Sequence, residues 1–462
     1  MSIASGPIDS GPTASGPLVA VVGGGLAGMA AAARLAKMGH RVRLHEAAPA
    51  LGGTWAPYAL PGSTGAGDQV LVDDAPGVLT FPAPWRDLFR KSGRPLEAEL
   101  ARSGRALVPA PAPTHRFADG SELVLPSDRG EQHEALLRAY GPGPAARWQH
   151  LLDSLGDVWQ ALRPLGLEEE FAPAAVTRAV ARRLRGRRSL ADLADGLDEP
   201  HLRALVRSAA HRQGTTPERA PALAAVDLLV SRTFGRWQVR ADAEGRVDPA
   251  GRGPRAPRPE VDVGRSSVLV EVLAARLALR GVDVRLGSRV TAVEVGPGGV
   301  RGVRAGADLE PADAVVLAVD PRTAAGLLPP GPARTLRRSL RGAEPARLPT
   351  VTHTVLDVDG GPGGEDVAEV VGLDEEGVPV VATTRRLSGR VVRTVHDHHV
   401  TVARPGAGLV TSGLRGWRRR PGTATDVPGV ALAGAASPAG PSPSAVVATA
   451  ALAAYAVAGR RD

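Results

Sequence analysis

The chain has 462 residues, 43% apolar but only 3% aromatic, enough for two or three domains whose cores rest on Leu, Val and Ala. Its net charge of +8 comes almost wholly from arginine, and those arginines are interspersed with acids and lack an aromatic-interleaved basic motif, which argues against a nucleic-acid partner. With no cysteine, disulfides, thiolate metal sites, a cysteine nucleophile and a flavin linked through cysteine are excluded.

Residues 1–17 are rich in Gly, Ser and Pro and read as a flexible leader rather than a signal peptide. The next stretch organises the chain. Leu18–Val22 is an apolar run of one strand's length, and Gly23, Gly25 and Gly28 follow it into an alanine-rich helix that stops near Gly39. A second strand, Arg41–His45, ends on Glu46, with Gly52 and Gly53 close behind. Strand, glycines, helix, strand and acid in this order form a dinucleotide fingerprint in its full context. Gly23 permits the tight turn, Gly25 lets backbone approach a pyrophosphate, and Gly28 lets the helix pack close on the sheet. Glu46 stands where ribose hydroxyls need an acceptor.

A turn-rich stretch runs to Gln69, and residues 84–90 then predict a short amphipathic helix with Trp85, Leu88 and Phe89 on one side. Residues 114–126 predict a hairpin around Asp119-Gly120. From 144 to 165, Trp148, Leu151, Leu152, Leu155, Trp159 and Leu162 recur at helical spacing, which reads as a core stripe, with a cavity lining as the alternative. More helices are expected through Arg240, with Pro200 and Pro217 near helix starts. Arginines crowd residues 182–188; a solvated helix end explains them, and contact with an anionic membrane surface is the alternative. Residues 241–259 read as an exposed loop.

Order is expected again from 261, where Ser266 or Ser267 caps a helix ending before Gly281. Strands follow at 282–286, 290–295 and 300–303. Gly296, Gly298 and Gly302 imitate the fingerprint but lie between hairpin strands, so they predict no second nucleotide site. Residues 314–319 form an apolar strand ending in Asp320-Pro321, and 350–402 are mostly strand-like. Within them His396, Asp397, His398 and His399 lack a third partner at metal-ligand spacing and read as exposed strand or loop. A short strand at 429–433 leads through a Gly/Pro/Ser turn into a helix at 445–458, shorter than the ~20 residues that span a membrane. These features predict a cytoplasmic protein, at most peripheral at a membrane.

Four stretches in colinear order resemble the phytoene desaturase family of flavoproteins, within the wider amine-oxidase-like group. They are the opening fingerprint with Glu46 and Gly52-Gly53, VDDAPGVLTFPAPWRDLF, residues 264–320, and PGVALAGAASPAGPSPSAVVATAALAA. The resemblance implies an α/β fold: a discontinuous Rossmann-like FAD-binding domain (18–90, 260–330 and 405–462) with an inserted mixed-sheet and helical substrate domain (91–259 and 331–404). It implies noncovalent FAD, held at its pyrophosphate by Gly23, Gly25, Leu26, Ala27 and Gly28, with Gly52 and Gly53 beside them. Glu46 and Ala47 would meet the adenosine ribose, and Val290 the adenine edge. Gly434 and Ala435 would follow the ribityl chain, and the helix start at Ser444 and Ala445 would face the pyrimidine end.

The implied reaction takes hydride from a long apolar isoprenoid-type substrate to flavin N5, with quinone or oxygen as the electron acceptor and no catalytic side chain beyond the flavin assigned. Three departures leave the substrate open: Thr54 where the family often has Arg or Lys, Ala439-Gly440-Pro441-Ser442 for Pro-Gly-x-Gly, and Gly264-Arg265-Ser266 for Gly-Gly. An amine or small-molecule oxidase, a carotenoid isomerase and a non-catalytic prenyl-binding protein of the Rab GDP-dissociation-inhibitor type are the alternatives.

Overall fold

The computed structural model describes residues 16–60, 70–241, 263–356, 367–387, 390–404 and 406–458. The expected leader up to residue 15, the turn-rich 61–69 and nearly all of the loop at 241–259 lie outside the described residues.

Strand β1 (Leu18–Val22), helix α1 (Leu26–Lys37) and strand β2 (Arg41–His45) open the fold. β1 sits at the centre of a five-stranded parallel sheet in the order Asp283–Arg285, β2, β1, Ala314–Leu317, Val430–Leu432. Its strands come from three distant parts of the chain. Apolar side chains on both faces explain why such short runs are stable, since a parallel sheet must be covered twice. Val19, Val21, Ala314 and Val316 pack with α1 and the helices Val268–Leu279 and Pro443–Ala458. Their alternates Ala20, Val22, Val315 and Leu317 pack under the antiparallel sheet Val290–Gly296, Gly299–Ala305, Asp308–Pro311.

Alanine favours helix and lets α1 lie close to its neighbours. Ala31, Ala32, Ala33 and Leu35 are fully buried. Arg34 in its last turn ties α1 to two other helices, through Asp87 at 2.7 Å and the Tyr455 hydroxyl at 3.0 Å.

A second region has its own core. Its six-stranded sheet runs Arg347–Leu356, Arg390–Ala403, Pro379–Leu387, Ala368–Leu373, Thr114–Phe117, Glu122–Val124. Only the pairing of Ala368–Leu373 with Thr114–Phe117 is parallel. The helices Pro142–Leu162, Pro200–Arg212 and Val226–Phe234 supply apolar side chains to that core.

Most expected elements are present, including the hairpin at Asp119-Gly120 and the helix Ala83–Ser92 with Trp85, Leu88 and Phe89 buried. Three expectations need correction. Helix does not continue to Arg240: Gly235 at φ 75° breaks it, and Arg236–Ala241 is a strand paired with Arg105–Pro109. No helix starts at Pro217, where a turn leads to the short helical turn Ala222–Ala225. Neither serine side chain caps the helix Val268–Leu279; its N-terminus is met by the Asp73 carboxylate, which accepts from Ser267 N–H at 2.8 Å. The Ser266 hydroxyl instead donates to the Pro76 carbonyl. Arg182, Arg183, Arg187 and Arg188 are exposed around the end of the helix Arg178–Arg183, as a solvated helix end requires.

Candidate functional site

The turn after β1 is built on two steric demands. Gly23, at φ 105°, donates its N–H to the His45 carbonyl at 2.8 Å, and a Cβ there would lie 2.5 Å from the Ala318 oxygen. At Gly28 a Cβ would overlap the Gly23 carbonyl, so only glycine lets α1 approach the turn. Gly25 is different: nothing lies within 4 Å of its Cβ position, and it faces a cavity. It is also the residue before α1, whose N-terminus no side chain caps, leaving N–H groups and the positive end of the helix dipole available to an anion.

The second glycine pair is brought against the first. Gly52 N–H donates to the Gly24 carbonyl at 2.9 Å, and Gly25 and Gly52 pair as a parallel bridge. Glu46 closes the corner: its Oε2 accepts from Gly24 N–H at 2.6 Å and its Oε1 from Ala48 N–H at 2.7 Å. A carboxylate has about four lone-pair sites, so two backbone bonds leave acceptor capacity facing the cavity.

From the other end of the chain, Gly434 N–H donates to Thr449 Oγ1 at 3.1 Å, and Ser444 Oγ donates to the Thr80 carbonyl at 3.0 Å. The second bond joins the start of the C-terminal helix to the strand Leu79–Thr80. Phe81 follows at φ 53°, a conformation that costs a non-glycine residue on the order of 1–3 kcal/mol. Its ring is held edge-on to Trp159 and 4.7 Å from Phe234.

Residues from each of these parts border one cavity of about 800 Å³, within the range for small-molecule and cofactor sites. Of the expected site residues, Gly23, Gly25, Leu26, Ala27, Glu46, Gly52, Gly53, Gly434, Ala435 and Ala445 line it. Gly28, Ala47, Val290 and Ser444 do not. Gly28 and Ser444 stand behind the wall, and Val290 is buried in the separate three-stranded sheet. Trp159 and Leu162, expected in a core stripe, face the cavity, whereas Trp148, Leu151, Leu152 and Leu155 are core.

The polar wall was not foreseen. His396 and His398 are not on an exposed strand: both line the cavity, with His396 Nε2 at 3.0 Å from the Asp74 carbonyl. Burial, with the Arg212 charge next, pulls the His398 pKa down to about 3, so its ring is neutral. No group of three metal-ligating side chains occurs among the described residues. Arg212, Asp227, Arg236, Glu369 and Arg420 also reach the cavity. Burial alone lowers Arg420 to about 10; its Nη2 donates to the Leu409 carbonyl at 2.6 Å, and among the described residues its Nε has no partner and no acid pairs with it. Nothing in the spacing marks these residues, because they come from separate helices, strands and loops.

A parallel sheet whose first glycine turn opens on a deep mixed apolar and polar chamber defines a dinucleotide-dependent protein. A family model described as flavin containing amine oxidoreductase matches residues 26–351, and the chain belongs to that family. It is similar to the 4,4'-diapolycopene oxygenase of Methylomonas sp, 26% identical over 356 residues that cover 73% of this chain and 63% of that protein. It is also similar to the phytoene dehydrogenase of Streptomyces griseus, 28% identical over 67% of this chain and 55% of that one. Hydroxyneurosporene desaturase of Cereibacter sphaeroides is 34% identical over 32% of this chain and 28% of that protein. The matches thus span less than two thirds of these curated relatives.

Among solved structures, putrescine oxidase bound to putrescine superposes with a TM-score of 0.61 at 17% identity, covering 96% of this chain and 98% of that one. Cyclohexylamine oxidase from Brevibacterium oxydans gives 0.60 at 15% identity, with 96% and 99% covered. At such identity the likeness is one of fold. FAD is the cofactor this family and fold imply. The residues present fit it: an open glycine face, an uncapped helix N-terminus, an acid with spare lone pairs, and in Arg420 a half-buried cation without a counter-charge among the described residues.

Proposed function

We propose that this chain is an FAD-dependent oxidoreductase that removes hydrogen from a long apolar, isoprenoid-type substrate. The observation that carries the reading is the single cavity joining the fingerprint turn to a chamber walled by Trp159, Leu162, Leu223, Val226 and Val381. The curated relatives with desaturase, dehydrogenase and oxygenase names support the substrate class.

In this reading Gly23, Gly25 and the start of α1 hold the pyrophosphate, Glu46 the adenosine ribose, and the turn from Gly434 to Ser442 the flavin half. When bound, FAD supplies the acceptor for the two electrons and the hydrogen that leave a substrate carbon. The chain's contribution is orientation and dryness. Phe81 and Trp159 line the chamber, with the Phe234 ring packed against both, and this aromatic wall would align an apolar chain and exclude water. Quinone or oxygen would take the electrons onward. The exposed arginines at 182, 183, 187 and 188 offer contact with an anionic membrane surface. No helix among the described residues is long and apolar enough to cross a membrane.

A second reading is amine oxidation. It draws on the acids Asp227 and Glu369 in the chamber wall, which suit a cationic group. Anaerobic mixing of the flavin-loaded protein with phytoene-type polyenes and with primary amines separates the two. Bleaching of the flavin by polyenes alone is expected; bleaching by amines alone, or a folded protein that retains no flavin, would overturn the desaturase reading.

A further inference from the structure

Arg212 ends the helix Pro200–Arg212 and enters the wall of the chamber. The residue is exposed, and it lines the cavity. It makes no hydrogen bond or ion pair with any described residue. The acids whose fields reach it are committed elsewhere. Glu369 is held by Arg236 Nη2 at 2.8 Å, and Asp227 accepts from Gln213 Nε2 at 2.8 Å. Burial, opposed by the Gln213 bond and the Arg212 charge, raises the Asp227 pKa and so favours its neutral form. Two further nitrogens in this wall, Arg236 Nε and His398 Nδ1, are buried without a partner.

Five guanidinium N–H donors with no acceptor among the described residues face the chamber and are open to a ligand there. A planar oxyanion suits them best, because a carboxylate matches the guanidinium fork with two parallel hydrogen bonds. The charge balance points the same way. Arg236 and Glu369 cancel, and burial works against the charged form of Asp227, so the Arg212 charge is the least balanced in this wall. That suits a monoanion. A diphosphate would bring several negative charges next to two carboxyl groups.

We propose that Arg212 anchors an anion subsite in the substrate chamber, and that the substrate is an extended apolar molecule carrying a terminal carboxylate. The inference rests on reading the chamber as the substrate site and narrows the substrate class within it. Trp159, Leu162 and Val381 border the apolar body; Arg212, with Arg236 Nε, receives the charged end.

The test uses the flavin-loaded protein and three probes of equal chain length: dodecanoate, dodecanol and dodecylamine. Binding is measured by calorimetry and by the shift each probe causes in the flavin visible spectrum. Dodecanoate is expected to bind at least about ten-fold more tightly than dodecanol, the scale of one charge-assisted hydrogen-bonded pair. Arg212→Gln should abolish that preference and leave dodecanol affinity and flavin content unchanged. Asp227→Asn, which holds this position neutral at every pH, should keep the preference, so the proposal stays testable should Arg212→Gln fail to fold. Equal binding of acid and alcohol, tighter binding of the amine, or a preference that survives Arg212→Gln overturns the subsite. A protein that is bleached by hydrocarbon polyenes yet shows no acid preference overturns the subsite and leaves the desaturase reading standing. One that prefers dodecanoate through Arg212 but is never bleached by polyenes does the reverse.

Discussion

Gly25 and Gly28 lie three residues apart and carry opposite constraints. At Gly28 the limit is internal, since any Cβ meets the Gly23 carbonyl, which is backbone and cannot move aside. Gly28→Ala should therefore cost about 1–3 kcal/mol or more by overpacking and lower the melting temperature. Gly25 has φ −72°, which any residue adopts, and open space where a Cβ would go. Gly25→Ala should melt like the parent without ligand yet retain at least about ten-fold less flavin, if backbone there must approach a pyrophosphate. Thermal melts of the apoprotein, paired with the flavin-to-protein absorbance ratio, check both. A Gly25→Ala protein with full flavin content would mean that no ligand presses on this face.

Among elements, the helix Val268–Leu279 owes its start to a distant carboxylate. Asp73 is fully buried, caps Ser267 N–H, and faces Arg385 Nη1 at 3.4 Å, while Arg385 also donates to the Gly264 carbonyl at 2.7 Å. Asp73→Ala would strand a buried guanidinium and should destabilise by roughly 3–5 kcal/mol in urea unfolding. Adding Arg385→Met should recover much of that loss; equal midpoints for the single and double variants would show the pair is not coupled. The strand Thr114–Phe117 carries a pH liability. His115 is 4% exposed, and burial first, then Arg212 and Arg236, pull its pKa from 6.5 to about 3. Above pH 6.5 neither the folded nor the unfolded chain holds this proton, and the stability contribution is complete. As pH falls from 6.5 toward 3 only the unfolded state takes it up, so stability declines by at most about 1.4 kcal/mol per pH unit. Denaturation midpoints at neutral and mildly acid pH measure the slope, which His115→Leu should flatten. The same contrast of local and distant causes decides what could be read from sequence. β1, α1, β2 and Glu46 were legible because strand, glycines, helix and acid are neighbours in the chain. The capping by Asp73 and the wall of Arg212, Asp227, Arg236, Glu369 and Arg420 were not. Those side chains meet only through tertiary packing, and the C-terminal arginine of an amphipathic helix is ordinarily solvated.

At the scale of the molecule, the cavity is bordered by residues from Gly23 to Val446, so parts from near both ends of the described chain meet in it. β1 pairs with Ala314–Leu317, which pairs in turn with Val430–Leu432, and this sheet brings those segments together. A ligand that spans both halves binds the folded chain and not the unfolded one. At a hundred-fold excess over its dissociation constant it should add about 2.7 kcal/mol of stability. The distribution of that gain tests the proposed placement. Hydrogen exchange of apoprotein and flavin-loaded protein should show slowing at 23–28 and at 434–446 together, while the exposed helix end at 182–188 stays unchanged. Slowing confined to the N-terminal turn would mean that the bound dinucleotide does not reach the C-terminal helix, and the flavin half would then have to be sought elsewhere in the chamber.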